Sequence, residues 1–163
     1  MLPPMPTLTH AVPDEAALPR LANALAAALP PRAFVALHGD LGAGKTTFVK
    51  QVAAAVGIDP AEVVSPTFGL IHVHDGPVCR IVHADMYRLP DAADLHETGW
   101  DDAISDPCLA FVEWPERIAA ALPADRLDIV ITIDGPTSRT FSFTPTGPTH
   151  DAAVARLRDL LAV

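Results

Sequence analysis

The sequence contains little positive charge, few cysteines and few aromatic residues. Lysine and arginine together number 11, against 20 aspartates and glutamates, so the formal net charge is −9. An acidic surface repels phosphate backbones, which argues against a protein that coats nucleic acid but leaves room for a local anion pocket. Two cysteines are too few for a disulfide framework and lack zinc-type spacing, which favours a reducing compartment.

The sequence offers no candidate for a membrane segment. The first ten residues, MLPPMPTLTH, contain neither the basic segment nor the apolar core of a signal peptide. No stretch approaches the roughly 18 uninterrupted apolar residues of a membrane-spanning helix. We therefore expect a cytoplasmic protein without membrane contact. The length of 163 residues predicts one domain over residues 1–163.

Apolar runs alternate with helical patterns along most of the chain, which predicts an α/β sandwich with a partly parallel sheet. The last two strands have no long helix between them and should pair antiparallel, and Asp75-Gly76 is a hairpin signal. Residues 1–12 are expected to form an irregular arm or a short edge strand. The predicted strands are 33–37, 70–74, 78–84, 109–112, 127–133 and 140–143, and the predicted helices are 14–29, 45–56, 91–98, 100–104, 116–122 and 152–161.

A glycine-rich segment follows the strand predicted at 33–37. Residues 39–46 read GDLGAGKT and fit the pattern G-x-x-x-x-G-K-[ST]. Glycines let several backbone N–H groups approach one anion, and the next helix directs its positive end at the same place. Lys45 would reach the β- and γ-phosphates, and the Thr46 hydroxyl would bind Mg²⁺. The alternative is a glycine-rich turn without a ligand. We disfavour it because the full pattern is rare by chance and stands between an apolar strand and a helix, and because Lys45 is one of only two lysines.

Two predicted buried strands end in an acidic residue. One strand runs to Asp85 and another to Glu113. Mg²⁺ prefers hard oxygen ligands, and an acid at the end of a buried strand beside a phosphate loop is the usual source of one. A single acid in such a place is more often a solvated strand end or a helix cap. Two of them beside a phosphate loop favour a metal site, and the spacing leaves open which acid binds metal and which orients water.

Four motifs occur together in a characteristic order: GDLGAGKTTF at 39–48, SPTF at 65–68, HADMYRL at 83–89 and VEWPE at 112–116. This set resembles the TsaE family, the small ATPases of bacterial tRNA N6-threonylcarbamoyladenosine biosynthesis. The resemblance extends from residue 13 to about residue 139. With the predicted elements, it implies a P-loop NTPase fold, a three-layer sandwich with a mostly parallel sheet and antiparallel strands in the C-terminal part.

The resemblance also implies roles for individual residues, with ATP and Mg²⁺ as cofactors. Asp85 and Glu113 are similar to family Mg²⁺ ligands, and Thr67 to a switch-type threonine near the γ-phosphate. The implied catalytic residues are Lys45, Thr67, Asp85 and Glu113, and the implied metal ligands are Thr46, Asp85 and Glu113. The implied ATP-binding residues are Glu15, Leu41, Gly42, Ala43, Gly44, Lys45, Thr46, Glu113 and Arg139.

The function that follows is slow, Mg²⁺-assisted hydrolysis of ATP to ADP and phosphate. Members of the family associate with the TsaB–TsaD complex, so TsaD and TsaB-type proteins are the expected partners, and tRNA would be reached only through that complex.

Three alternative functions belong to different classes of protein. A small-molecule or nucleoside kinase would carry a lid rich in arginine, but residues 85–113 hold only Arg88. A GTP switch would read guanine through an N-K-x-D loop, but the single asparagine is Asn23. The third alternative is a module that binds a nucleotide without hydrolysing it, and the sequence does not exclude it.

Two residues near the strand ends allow two interpretations each, and a third allows one. His83 lies two positions before Asp85 and so faces the same side of the sheet, either to orient a metal ligand or as a core histidine. Trp114 follows Glu113 and is either a core anchor or a partner contact. Tyr87 is the single tyrosine, and burial is the prediction for it.

Overall fold

The computed structural model describes residues 7–65 and 70–163. Thr67, predicted near the γ-phosphate, lies outside the described residues. None of the helices within the described ranges is long and apolar enough to cross a bilayer.

Seven strands form one sheet, with the spatial order β1-β7-β6-β2-β5-β4-β3. They are β1 (Leu8–Val12), β2 (Ala33–His38), β3 (Ile71–Asp75), β4 (Arg80–Asp85), β5 (Leu109–Glu113), β6 (Leu127–Ile133) and β7 (Arg139–Pro145). The N-terminal segment thus forms an edge strand, the second of the two predicted possibilities.

The sheet is mixed, so the expectation of a mostly parallel sheet is wrong. Strand β2 pairs parallel with β5 and β6, and β4 pairs parallel with β5, but the other three neighbouring pairs in the described part are antiparallel. The β3–β4 pair follows from its tight turn, because strands joined by a few residues must run in opposite directions. The predicted antiparallel pairing of β6 with β7 is confirmed.

The helices lie where the helical patterns predict them. They are α1 (Leu18–Ala28), α2 (Lys45–Ala55), α3 (Trp100–Ala103) and α4 (Pro148–Leu161). Short 3-10 helices cover Glu15–Ala17, Pro60–Glu62, Ala92–Thr98 and Pro115–Ala121. Helix α4 begins four residues before the predicted start. Proline is well placed in a first turn, and the Asp125 carboxylate accepts hydrogen bonds from the N–H groups of Thr149 (3.0 Å) and His150 (3.2 Å).

Each face of the sheet has its own hydrophobic core. Successive strand residues point to opposite faces, so Leu109 and Phe111 of β5 join one core, while Ala110 and Val112 join the other. The first core is covered by α1, α2 and α4, and the second by α3 and the 3-10 helices Ala92–Thr98 and Pro115–Ala121. These layers give the three-layer α/β arrangement that the sequence predicts.

The parallel strands bring their carboxyl ends to one edge of the sheet. Glu113 at the end of β5 lies beside Leu37 of β2 on one side and Asp85 of β4 on the other. The chain leaves β2 at this edge, passes through residues 39–44 and enters α2. The glycine-rich loop, residues 39–46, therefore lies beside both strand-end acids.

Candidate active site

The glycine-rich loop depends on two glycines with left-handed backbone. Gly42 has φ of 83° and Gly44 has φ of 102°. A Cβ atom added at either position would meet nothing within 4 Å, so the requirement for glycine comes from the backbone angle and not from crowding. The Ala43 N–H donates to the Asp40 carbonyl at 2.9 Å, which closes a turn, and α2 begins at the next residue but one. The result is a tight loop that ends at a helix N-terminus, an arrangement suited to an anion.

Lys45 is held at the start of α2 with only 6% of its surface exposed. Its Nζ atom donates to the Gly39 carbonyl at 2.5 Å and lies 4.1 Å from the centre of the Trp114 ring. Among the described residues no carboxylate forms an ion pair with Lys45, and carbonyl and aromatic contacts of this kind stabilise a buried ammonium. The Lys45 side chain thus folds back onto the start of the glycine-rich loop.

Glu113 joins the loop to two strands through a single oxygen atom. Its Oε2 accepts a hydrogen bond from the Thr46 hydroxyl at 2.8 Å and lies 2.5 Å from His83 Nε2. Glu113 is 4% exposed and His83 is fully buried. His83 is thus buried in the core, as the second of its two interpretations expects, and it also contacts the candidate site residue Glu113. The predicted site residues do not include His83. The signal in the sequence was its position two residues before Asp85.

Asp85 lies next to Glu113 at the sheet edge and is also partly buried. Burial raises the pKa of the Asp85 carboxyl, and the nearby Glu113 charge raises it further, against the opposing effect of the Tyr87 N–H that donates to Oδ1 at 2.9 Å. Two acids in this position repel each other, and a cation between them would relieve that repulsion.

A cavity of about 310 Å³, here called the loop cavity, opens between the glycine-rich loop and the strand ends. The residues that line it are Leu41, Gly42, Gly44, Lys45, Thr46, Thr47, Ser65, Asp85, Glu113 and Trp114. Within the described ranges no cluster of three or more His, Cys, Asp or Glu side chains is arranged to hold a metal. The oxygen atoms of Thr46, Asp85 and Glu113 nevertheless fit Mg²⁺, which commonly takes one or two carboxylates and completes its shell with water and phosphate oxygens.

A second cavity of about 320 Å³, here called the hairpin cavity, lies on the other side of the loop. Its walls are the loop, the segment before α1 and the β6–β7 hairpin, which are tied together where the Thr137 hydroxyl donates to the Pro13 carbonyl at 3.2 Å. The lining residues are Val12, Asp14, Glu15, Leu18, Gly42, Ala43, Gly44, Thr47, Pro136, Thr137, Arg139 and Phe141. Gly42, Gly44 and Thr47 border both cavities, so the two cavities adjoin at the glycine-rich loop.

The structure brings together every predicted site residue except Thr67, which it does not describe. The loop cavity holds Leu41, Lys45, Thr46, Asp85 and Glu113, and the hairpin cavity holds Glu15, Ala43 and Arg139.

The aromatic pair beside the loop cavity departs from one expectation. The rings of Tyr87 and Trp114 lie 4.9 Å apart, and Tyr87 is 47% exposed, so its predicted burial is wrong. The reason is its place just past the end of β4, where the chain leaves the sheet. Its ring neighbours there are Trp114 and the Arg117 guanidinium, which lies 5.9 Å from the ring centre. Trp114 adopts a left-handed backbone with φ of 56°, which is uncommon for a large side chain.

A family model described as "Threonylcarbamoyl adenosine biosynthesis protein TsaE" matches residues 12–141. The chain belongs to the TsaE family. The matched range contains the glycine-rich loop, both strand-end acids and the turn between β6 and β7, and every residue that lines the two cavities falls within it. The TsaE family functions in tRNA threonylcarbamoyladenosine biosynthesis, so membership connects the chain to that pathway.

Curated relatives and a solved structure agree with this membership. The tRNA threonylcarbamoyladenosine biosynthesis protein TsaE of Bacillus subtilis is 37% identical over 131 residues, which cover 80% of this chain and 81% of the relative. The TsaE protein of Rickettsia bellii is 36% identical over 108 residues, covering 66% of this chain and 74% of the relative. The crystal structure of Bacillus subtilis YdiB superposes with a TM-score of 0.77 at 30% identity, and the match covers 93% of this chain and 94% of that one.

Proposed function

We propose that this protein is a Mg²⁺-dependent ATPase with a P-loop NTPase fold in one domain, and that it assists the complex that forms N6-threonylcarbamoyladenosine on tRNA. One observation carries the proposal: a G-x-x-x-x-G-K-T loop and two strand-end carboxylates meet in one cavity, where the Thr46 hydroxyl donates to Glu113 at 2.8 Å. Triphosphate binding needs loop amides, a lysine and oxygen ligands for a metal within one small volume.

The proposed binding mode uses both cavities. The backbone N–H groups of residues 41–46, apart from the Ala43 N–H that closes the turn, would bind the phosphates in the loop cavity together with the Lys45 ammonium. Glu15 and Arg139 would line the nucleoside end in the hairpin cavity. Thr46, Asp85 and Glu113 would hold Mg²⁺, which supplies positive charge beside the phosphate oxygens when it is bound.

The residues of the chain perform the other tasks of hydrolysis. Lys45 now donates to the Gly39 carbonyl, and γ-phosphate oxygens would replace that acceptor as charge develops during transfer. Besides holding the metal, the strand-end carboxylates would orient the attacking water. Thr67 remains the predicted switch-type threonine.

Hydrolysis by the isolated protein should be slow. No arginine lines the loop cavity among the residues described, and the Arg139 guanidinium in the neighbouring cavity already bonds to backbone carbonyls. An arginine directed at the γ-phosphate typically accelerates hydrolysis by about 10³–10⁵. A TsaD or TsaB-type partner would complete the site and raise the rate.

The test compares Lys45→Ala and Glu113→Ala with Lys50→Ala, which removes the other lysine from the same helix. ATP hydrolysis should fall by about 10²-fold or more in the first two variants, because each loses an interaction that strengthens as charge develops. The Lys50→Ala protein should hydrolyse ATP like the wild type. Wild-type rates in either site variant, with the fold intact by circular dichroism, would refute the assignment.

The kinase alternative is tested in the same assay with γ-labelled ATP. Hydrolysis releases the label as free phosphate across a panel of nucleosides and small metabolites. Label transferred to any acceptor would favour the kinase.

A further inference from the structure

The Arg139 side chain donates hydrogen bonds to four backbone carbonyl groups. Its Nε donates to the Ala43 carbonyl at 3.0 Å and its Nη2 to the Gly42 carbonyl at 3.2 Å. Its Nη1 donates to the carbonyls of Gly135 and Ser138, both at 2.9 Å. A guanidinium has five N–H donors, so these four bonds account for most of its capacity.

The two loop carbonyls that Arg139 binds determine where the neighbouring N–H groups point. In a trans peptide the C=O and N–H point to opposite sides, so holding the Ala43 carbonyl toward Arg139 directs the Gly44 N–H away from it. The Gly42 carbonyl is held in the same way, with the Ala43 N–H directed to Asp40 at 2.9 Å. Both flexible glycines of the loop are thus next to a peptide that Arg139 restrains.

The backbone of Arg139 is held between two neighbouring strands of the sheet. It is the first residue of β7 and pairs with Ile133 of β6 on one side and with Val12 of β1 on the other. The hairpin turn beneath it is closed by the Asp134 N–H, which donates to the Ser138 carbonyl at 3.1 Å. The guanidinium therefore links the glycine-rich loop to the antiparallel half of the sheet.

We propose that Arg139 is a positioning residue, which fixes the glycine-rich loop in its anion-binding conformation before any ligand arrives. The planar fork is required, because it spans two adjacent carbonyls that a lysine ammonium, a single point of charge, would not hold in one plane. The consequence for nucleotide binding rests on the proposed function, but the restraint on the loop does not.

The decisive measurement is hydrogen–deuterium exchange of the nucleotide-free protein, followed by mass spectrometry. In Arg139→Ala, peptides that cover residues 39–46 should exchange about tenfold faster than in the wild type, because at least one charge-assisted bond to the loop is lost. Arg139→Lys should exchange nearly as fast as Arg139→Ala. Unchanged exchange in Arg139→Ala would overturn the proposal and leave Arg139 as a direct ligand.

Arg156→Ala is the matched control. Arg156 also binds a backbone carbonyl through its guanidinium, that of Ala28, at 2.9 and 2.7 Å, but it lines neither cavity. Its removal should leave exchange of residues 39–46 unchanged. If it speeds loop exchange as much as Arg139→Ala does, the effect is general destabilisation and the proposal fails. Arg139→Lys keeps the charge and the bulk of the stem, so it provides a folded variant if Arg139→Ala does not fold.

ADP titration separates this proposal from the proposed function. Both Arg139 variants should bind ADP about tenfold more weakly than the wild type, and a full rescue by lysine would show that charge alone suffices and would overturn the positioning role. If the wild type binds no nucleotide, the proposed function fails, while the exchange experiment still decides whether Arg139 restrains the loop.

Discussion

At the scale of single residues, the site depends on how one carboxylate is shared. Glu113 Oε2 meets both the Thr46 hydroxyl and His83 Nε2, so a residue of α2 and a residue of β4 meet on β5. A carboxylate as buried as Glu113 is costly unless hydrogen bonds compensate for the lost water. His83 supplies one of those bonds from the core, while its own Nδ1 has no hydrogen-bond partner among the described residues.

Replacement of His83 should therefore affect stability. His83→Ala removes a bond to buried Glu113 and leaves a cavity at a fully buried position, so the free energy of unfolding should fall by about 2 kcal/mol or more. Urea denaturation followed by circular dichroism measures the change. His96 is the control, because it also bonds to an acid, Asp101 at 2.7 Å, but is exposed, and His96→Ala should cost less than about 0.5 kcal/mol. Equal costs in the two variants would show that the buried contact is not special.

The sequence predicts which residues gather at the site better than it predicts the individual contacts between them. Lys45, Asp85 and Glu113 follow from a loop motif and from acids at strand ends, because parallel strands bring their carboxyl ends to one edge. The bonds from Arg139 to Gly42 and Ala43 link residues almost a hundred positions apart, and local patterns carry no information on such a contact. The exposure of Tyr87 likewise depends on which neighbour covers its ring.

At the scale of elements, the helix and strand patterns predict positions well and geometry less well. Residues 91–98 and 116–122 show helical signals, and the structure places 3-10 helices there, at Ala92–Thr98 and Pro115–Ala121. The capping signal is the same for both kinds of helix, as where the Asp91 carboxylate accepts from the Ala93 N–H at 3.0 Å. At Ile118 the backbone has φ of −126°, which interrupts the second segment. Short segments therefore leave the choice of helix type to tertiary packing.

The start of α4 makes stability depend on pH. The pKa of the Asp125 carboxyl is held well below its usual range, mainly by the hydrogen bond to His150 at 2.7 Å and also by the N–H groups of Thr149 and His150. This contribution to stability is complete above the unfolded-state pKa of about 4. It is lost progressively as the pH falls below that value toward the lower pKa of the folded protein.

Asp125→Asn tests this contribution. The variant should be less stable than the wild type at pH 7, and the difference should shrink as the pH is lowered from 5 toward 2. Urea denaturation at several pH values measures both curves. Asp151→Asn is the control, since Asp151 lies in the first turn of the same helix and is exposed. A difference between Asp125→Asn and wild type that stays constant over this range would contradict the assignment.

At the scale of the whole molecule, the mixed sheet divides the site into two parts. The parallel strands β2, β4 and β5 deliver the glycine-rich loop and the two acids to the loop cavity. Strands β1 and β7, which pair antiparallel, and the turn between β6 and β7 line the hairpin cavity on the other side of that loop. The glycine-rich loop is the border between them, and Arg139 connects it to the antiparallel part. A sheet that is only half parallel thus places two cavities on either side of the same loop.

The net charge of −9 bears on how such a molecule meets tRNA. Phosphate contacts through lysine and arginine supply most of non-specific nucleic-acid affinity. Here only 11 such residues face 20 acids, and one of the two lysines lies buried in the site. The isolated protein should therefore bind tRNA with a dissociation constant weaker than about 10⁻⁴ M at physiological salt.

Fluorescence anisotropy with labelled tRNA measures that affinity, first for the protein alone and then for the protein added to a TsaD- and TsaB-type complex with ATP. We expect no binding by the protein alone and, in the second experiment, a change in the anisotropy of tRNA held by the complex. Micromolar binding by the protein alone, weakened by added salt, would mean that a local basic surface overrides the net charge. The expectation that tRNA is reached only through partners would then be wrong, while the ATPase proposal would be unaffected, because it rests on the loop cavity.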